Sequence, residues 1–144
     1  MNKEYQFEII PKNLDLAGNA SSFIKKTLTE LKIDRNIIRR VSIATYEAEI
    51  NVVIHSFGGE CRFIIKDDIL KVIFKDYGPG IASIDFAMME GTSTAPKYAV
   101  DSGFGAGMGL PNMKKVSDAF NITSNEKGTL INLEFNLKRT NHES

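Results

Sequence analysis

From Tyr5 the chain alternates apolar and polar residues, Tyr5-Gln6-Phe7-Glu8-Ile9, until Ile10 breaks the pattern and Pro11 closes it. Successive side chains of a strand point to opposite faces, so this stretch predicts a half-buried strand over 5–10, suited to a sheet edge. From about 14 to 31 the apolar residues Leu16, Ala20, Phe23, Ile24, Leu28 and Leu31 recur at helical spacing. That spacing predicts a surface helix, with Asp15 or Asn19 available to cap its start. Asp34 is placed to cap a second, longer helix, in which Ile37, Ile38, Val41, Ala44, Ala48 and Val52 lead into a steadily more apolar stretch ending at Phe57 and Gly58-Gly59. A helix of that composition must be largely buried.

Alternation returns over 60–66 and 68–75, with Phe63, Ile65, Leu70, Val72 and Phe74 on one face and a tight turn at Asp67-Asp68 between two strands. Residues 83–89 fit a short helix, which the run Glu90-Gly91-Thr92-Ser93-Thr94-Ala95-Pro96 breaks. A third helix is expected over 107–120, with Leu110, Met113, Val116 and Phe120 on one side. Two last strands, 120–124 and 129–137, flank a turn at Asn125-Glu126-Lys127-Gly128, and the polar end, about 139–144, is expected to fray.

Composition narrows the partners. A length of 144 residues suits one compact domain covering 1–144. Eighteen basic residues balance eighteen acidic ones, so no global field draws the chain to nucleic acid or to an anionic membrane, and any partner must be recognised locally. The single Cys61 excludes an internal disulfide and a cysteine-based zinc site, and it reads as a reduced thiol in a strand. No apolar run approaches the length of a membrane span and the first residues lack a signal-peptide core, so a cytoplasmic location is expected.

Candidate chemistry lies in three places. Inside the apolar half of the long helix sit Glu47, Glu49 and Asn51. At about 100° per residue Glu47 and Asn51 share a face, whereas Glu49 lies nearly opposite, so only Glu47 can act with Asn51. Such a pair implies a ligand, a metal or a satisfied network, with a hydrogen-bonded structural acid as the plainer alternative for Glu47. The second place is Asp76-Tyr77-Gly78-Pro79-Gly80-Ile81, where an acid at a strand end meets a turn that lets backbone approach a flat ligand. The third is Gly103-Phe104-Gly105-Ala106-Gly107-Met108-Gly109-Leu110, a glycine-rich loop opening a helix, whose backbone N–H groups suit phosphate. The two glycine stretches together read as one nucleotide pocket, and the polar segment between them, about 82–104, reads as a lid.

This order of pieces, Glu47-x-x-x-Asn51, then Asp76-x-Gly78-x-Gly80, then Gly105-x-Gly107-x-Gly109, then Gly128-Thr129, resembles the GHKL ATPase superfamily of gyrase B, the ninety-kilodalton heat-shock chaperones, histidine kinases and MutL. The resemblance implies an α/β two-layer sandwich, with a mixed, mostly antiparallel sheet, helices on one face, and ATP held between the helices and a lid. It further implies that Asn51 holds Mg²⁺ and that Glu47 is the general base or orients water. Asp76 would accept from the adenine amine, with Gly78, Gly80, Ile81 and Thr129 around the same contact. Gly103, Gly105, Ala106, Gly107, Met108, Gly109 and Leu110 would form the phosphate cradle.

Within that superfamily, Ala87-Met88-Met89-Glu90-Gly91-Thr92-Ser93-Thr94 followed by Gly103 to Pro111 is most similar to the small bacterial anti-sigma serine/threonine kinases, of the stressosome switch type. That likeness implies phosphorylation of a STAS-domain partner and control of a sigma factor or phosphatase regulator. An isolated Phe86 stands where histidine-kinase catalytic domains carry a phenylalanine-rich box, which argues against histidine as acceptor.

Other polar residues have plainer readings. His55, one turn past Asn51, reads as a structural histidine rather than a second ligand, Lys75 and Lys97 as solvated lysines, and Asp101 as a loop acid. Two functions fit: a protein serine/threonine kinase, and a nucleotide-gated binding switch with little turnover. The edge-like first strand could pair across a homodimer.

Overall fold

The computed structural model describes residues 2–79, 88 and 109–138. These form β1 (Lys3–Ile9), α1 (Asn19–Glu30), α2 (Arg35–His55), β2 (Gly59–Lys66), β3 (Ile69–Asp76), α3 (Gly109–Val116), β4 (Ala119–Asn125) and β5 (Gly128–Asn136). The expected helix over 83–89, the lid and the chain end after 138 lie outside the described residues.

The five strands make one sheet in the order β1-β2-β3-β5-β4, and all four pairings are antiparallel. One face of every central strand is apolar and buried: Cys61, Phe63 and Ile65 on β2, Leu70, Val72 and Phe74 on β3, Ile131, Leu133 and Phe135 on β5. The three helices cover that face, giving the two-layer α/β sandwich. Helix α2 packs against both α1 and α3 and supplies Val41, Ala44, Ala48, Val52 and Val53 to the core. An edge-to-face cluster fastens α1 to the sheet, with Phe23 4.8 Å from Tyr5 and 4.9 Å from Phe7.

Local chemistry fixes the turns. Asp67 and Asp68 both take positive φ, +52° and +63°, in the two-residue loop closing β2 on β3. Primed turns of this kind match strand twist, and aspartate tolerates the left-handed region. Asp34 caps α2 as expected, its Oδ1 accepting from the Asn36 N–H at 2.8 Å.

Helix α1 starts later than its apolar spacing predicts, at Asn19 rather than near 14, and neither Asp15 nor Asn19 caps it. Gly18, in the left-handed region, is the N-cap residue and has no side chain to offer. The Glu49 carboxylate of α2 does the work instead, accepting from Ala20 N–H and Ser21 N–H at 3.1 Å each. Helix α3 ends at Val116, four residues short of the predicted end. The Arg40 guanidinium donates to the Val116 carbonyl at 3.3 Å and to Asp118 at 3.2 Å, and the chain turns there into β4.

Candidate functional site

Asp76 ends β3 on the helix-facing side, continuing the row Leu70, Val72, Phe74. It is buried, and its Oδ1 accepts two backbone bonds, from Gly78 N–H at 3.0 Å and Thr129 N–H at 2.9 Å. Two N–H groups on one oxygen fix the carboxylate plane. Among the described residues neither bond engages Oδ2, which is left to accept from a ligand amine. Gly128 makes the arrangement possible: its φ is +150°, and a Cβ there would collide with the Asp76 backbone carbonyl and approach Oδ1. Thr129 is buried beside it, its hydroxyl 2.8 Å from that of Ser124.

Backbone bonds tie this corner to the end of α2. Phe57 N–H donates to Gly78 O at 2.8 Å and Tyr77 N–H to Gly58 O at 3.0 Å. The acid on the sheet and the polar stripe on the helix therefore belong to one rigid corner.

That stripe runs Arg40, Glu47, Asn51, residues that helical geometry places within about 40° of one another. Its lower part is seated on α3. Arg40 grips the last turn of α3 at Val116, and Glu47 lies against its first turn, with Oε2 3.3 Å from where a Cβ of Gly109 would be. The two helices are thus antiparallel, and Asn51 lies one turn, or about 6 Å, beyond Glu47 along α2. Burial raises the Glu47 pKa above the usual carboxylate value, and a hydrogen bond from the Asn112 side chain draws it part of the way back. Glu47 and Asn51 are half-buried, reachable by a ligand, whereas Glu49 is 3% exposed and fully used by α1.

Residues 35–139 match the family described as histidine kinase-, DNA gyrase B-, and HSP90-like ATPase. The chain belongs to this ATPase family. Comparison with curated proteins gives no match. Among solved structures, the crystal structure of the RsbU and RsbW domains of Rv1364c from Mycobacterium tuberculosis superposes with a TM-score of 0.66 at 16% identity, covering 95% of this chain. The chain spans 32% of that protein's length. The histidine kinase domain from the Erythrobacter litoralis EL346 blue-light activated histidine kinase superposes with a TM-score of 0.51 at 17% identity, covering 92% of this chain and 68% of that one. Identities this low speak to the fold, which these proteins share.

Membership of an ATPase family implies ATP binding, and the donor set fits that ligand. A carboxylate oxygen turned to an amine, close-approaching backbone, and an amide beside a carboxylate near a helix start are the parts a purine nucleotide and its phosphates need. Asn51 offers an amide oxygen of the hard kind that Mg²⁺ takes, with phosphate and water completing the shell. Among the described residues no cluster of three or more His, Cys, Asp and Glu offers an all-protein metal cage.

The structure brings Asp76, Gly78 and Thr129 together at one place and Glu47 and Gly109 at another, with Asn51 one helical turn beyond Glu47 on α2. Leu110 is buried in the core, so its side chain is taken up by packing. Gly80, Ile81, Gly103, Gly105, Ala106, Gly107 and Met108 lie outside the described residues, as do Lys97 and Asp101. Lys75 lines a concavity of about 520 Å³ with Glu60, Arg62, Ile73 and Leu130, and this concavity also reaches Asp76, Gly128 and Thr129. His55 closes α2 half-buried, and burial lowers its pKa. Sequence reasoning passed over Asn112 and gave Glu49 no partner. The signal for Glu49 was present, since a second acid in so apolar a helix requires one.

Proposed function

We propose that the chain is an ATP-dependent protein serine/threonine kinase that modifies a STAS-domain partner and thereby controls a sigma factor or phosphatase regulator in the cytoplasm. The observation that carries this reading is the Glu47 carboxylate, pushed toward basicity by burial and seated at the α3 start beside Asn51. A nucleotide clamp alone has no use for such a group. The likeness to a structure containing an RsbW domain supports the choice of partner.

In this mechanism Asp76 Oδ2 accepts from the adenine amine and sets the base end, while backbone N–H groups of the glycine-rich loop and the α3 start receive the phosphates. Glu47 takes the proton of the acceptor hydroxyl as its oxygen bonds to the γ-phosphorus and the bond from that phosphorus to the ADP oxygen breaks. Asn51 would hold Mg²⁺ through its amide oxygen, and the ion would supply charge neutralisation at the phosphates. Residues 82–104 serve as the lid and carry partner specificity. Neither step requires more than one copy of the chain, although β1 offers an edge for homodimer pairing.

The test is γ-labelled ATP with STAS-domain acceptors, using wild type and Glu47→Ala. Both should bind nucleotide, and only the wild type should pass label to a serine or threonine. Equal labelling by the variant would remove Glu47 from the role of base. Nucleotide-dependent capture of the acceptor by the wild type without labelling would replace the kinase with a binding switch.

A further inference from the structure

Glu47 is a long, half-buried side chain on a helix, and nothing in α2 itself fixes where its carboxylate ends. Among the described residues, Gly109 and Asn112 of α3 lie at that carboxylate. Gly109 opens that helix, and a Cβ there would stand 3.3 Å from Glu47 Oε2, closer than ordinary packing contact. Asn112, three residues on and so on the same face, hydrogen-bonds the carboxylate through its side chain. The seat itself is anchored. Met113, next to Asn112, is fully buried in the core, and Arg40 holds the far end of α3 against the same stripe of α2. Gly109 and Asn112 therefore do complementary things, one leaving room for the carboxylate and the other bonding it.

We infer that the first turn of α3 is the aiming device for the base, with Asn112 as its positioning residue and Gly109 kept small for the Glu47 carboxylate rather than for nucleotide alone. The inference rests on the proposed role of Glu47. A base works only when its oxygen meets the acceptor proton within hydrogen-bond reach, and small misplacements are costly in rate. Asn112 touches neither nucleotide nor acceptor in this scheme, so its removal should act on turnover and leave ATP binding alone.

Three variants separate aiming from packing. Asn112→Ala should lower kcat roughly tenfold or more while the KM for ATP stays within about twofold. Asn112→Asp keeps the shape but offers the carboxylate no donor, and it should lose at least as much. In a Glu47→Gln background Asn112→Ala should cost nothing further, because the group it aims is gone. Additive losses in the double variant, wild-type turnover in Asn112→Asp, or a loss confined to ATP affinity would each overturn the inference. A measurement independent of turnover keeps the two readings apart. In nitrogen-edited NMR spectra the Asn112 side-chain amide should shift and exchange faster in Glu47→Ala. An unmoved amide overturns the seat whether or not the wild type is active, whereas a moved amide with a catalytically silent wild type supports the seat and overturns only the kinase.

Discussion

At the residue scale Asp76 is held by one backbone partner close in sequence and one far away. Asp76 was legible, as an acid ending an apolar strand before a two-glycine turn. The Thr129 N–H that holds it, 53 positions on, was not readable from local pattern, and the likeness to other ATPases gave Thr129 only as a support of the adenine contact. Asp76→Asn keeps an oxygen for the two backbone donors but turns an NH₂ toward the adenine amine. A hydrogen bond to a charged group contributes about 1.5–3 kcal/mol, so ATP affinity should fall roughly tenfold to a hundredfold, measurable by titration calorimetry. His55 makes a separate prediction. Burial lowers its folded pKa below the ordinary 6.5, so as pH falls the unfolded chain takes up the proton first. The contribution of His55 to stability is thus complete above about pH 6.5 and declines as pH drops toward the folded value. Urea midpoints followed downward from pH 7 should show that decline, and His55→Gln should flatten it.

At the element scale the pattern of apolar residues located every described helix and strand, but where the helices begin and end depended on partners that no local window contains. Leu14 and Leu16 fit the helical period of α1 and yet lie before its start, because the helix can begin only where its N–H groups find an acceptor. That acceptor is Glu49, 28 and 29 residues ahead of its donors. The acid that seemed to have no part beside Glu47 and Asn51 is what fastens the first helix to the second. Glu49→Ala removes two charge-assisted bonds from a buried place and leaves two N–H groups unpaired, which should destabilise the fold by roughly 2–4 kcal/mol. The loss is readable as a lower urea midpoint at unchanged slope. The ATP affinity of the folded fraction should hold, since Glu49 faces α1 and the pocket residues lie on the other side of α2. A loss of affinity equal to that in Asp76→Asn would show that α1 docking shapes the pocket as well.

At the scale of the whole molecule the sheet order was only partly legible. Both tight hairpins could be read from their turns, yet turns do not say which strand of the last hairpin joins β3. The composition of the two strands does decide it. Strand β5 carries Ile131, Leu133 and Phe135 into the core, whereas β4 alternates exposed and half-buried residues and makes the edge. With β5 beside β3, Thr129 reaches Asp76, and the proposed pocket spans both layers: Asp76 and Thr129 from the sheet, Glu47 and Asn51 from α2, Gly109 from α3. A ligand held by both layers binds the native fold and has no counterpart in the unfolded chain, so it should stabilise the molecule globally. At a hundredfold excess over its Kd, ATP adds about 2.7 kcal/mol, which for a domain of this size raises Tm by roughly 10 °C. At the same ATP concentration Asp76→Asn should keep less than about half of that shift, and Glu47→Ala should keep nearly all of it, because the base contacts the acceptor proton rather than the purine. Thermal scans of the three proteins with and without ATP and Mg²⁺ decide the matter. A shift lost equally in both variants would mean that Glu47 holds nucleotide and would take the catalytic division of the pocket with it.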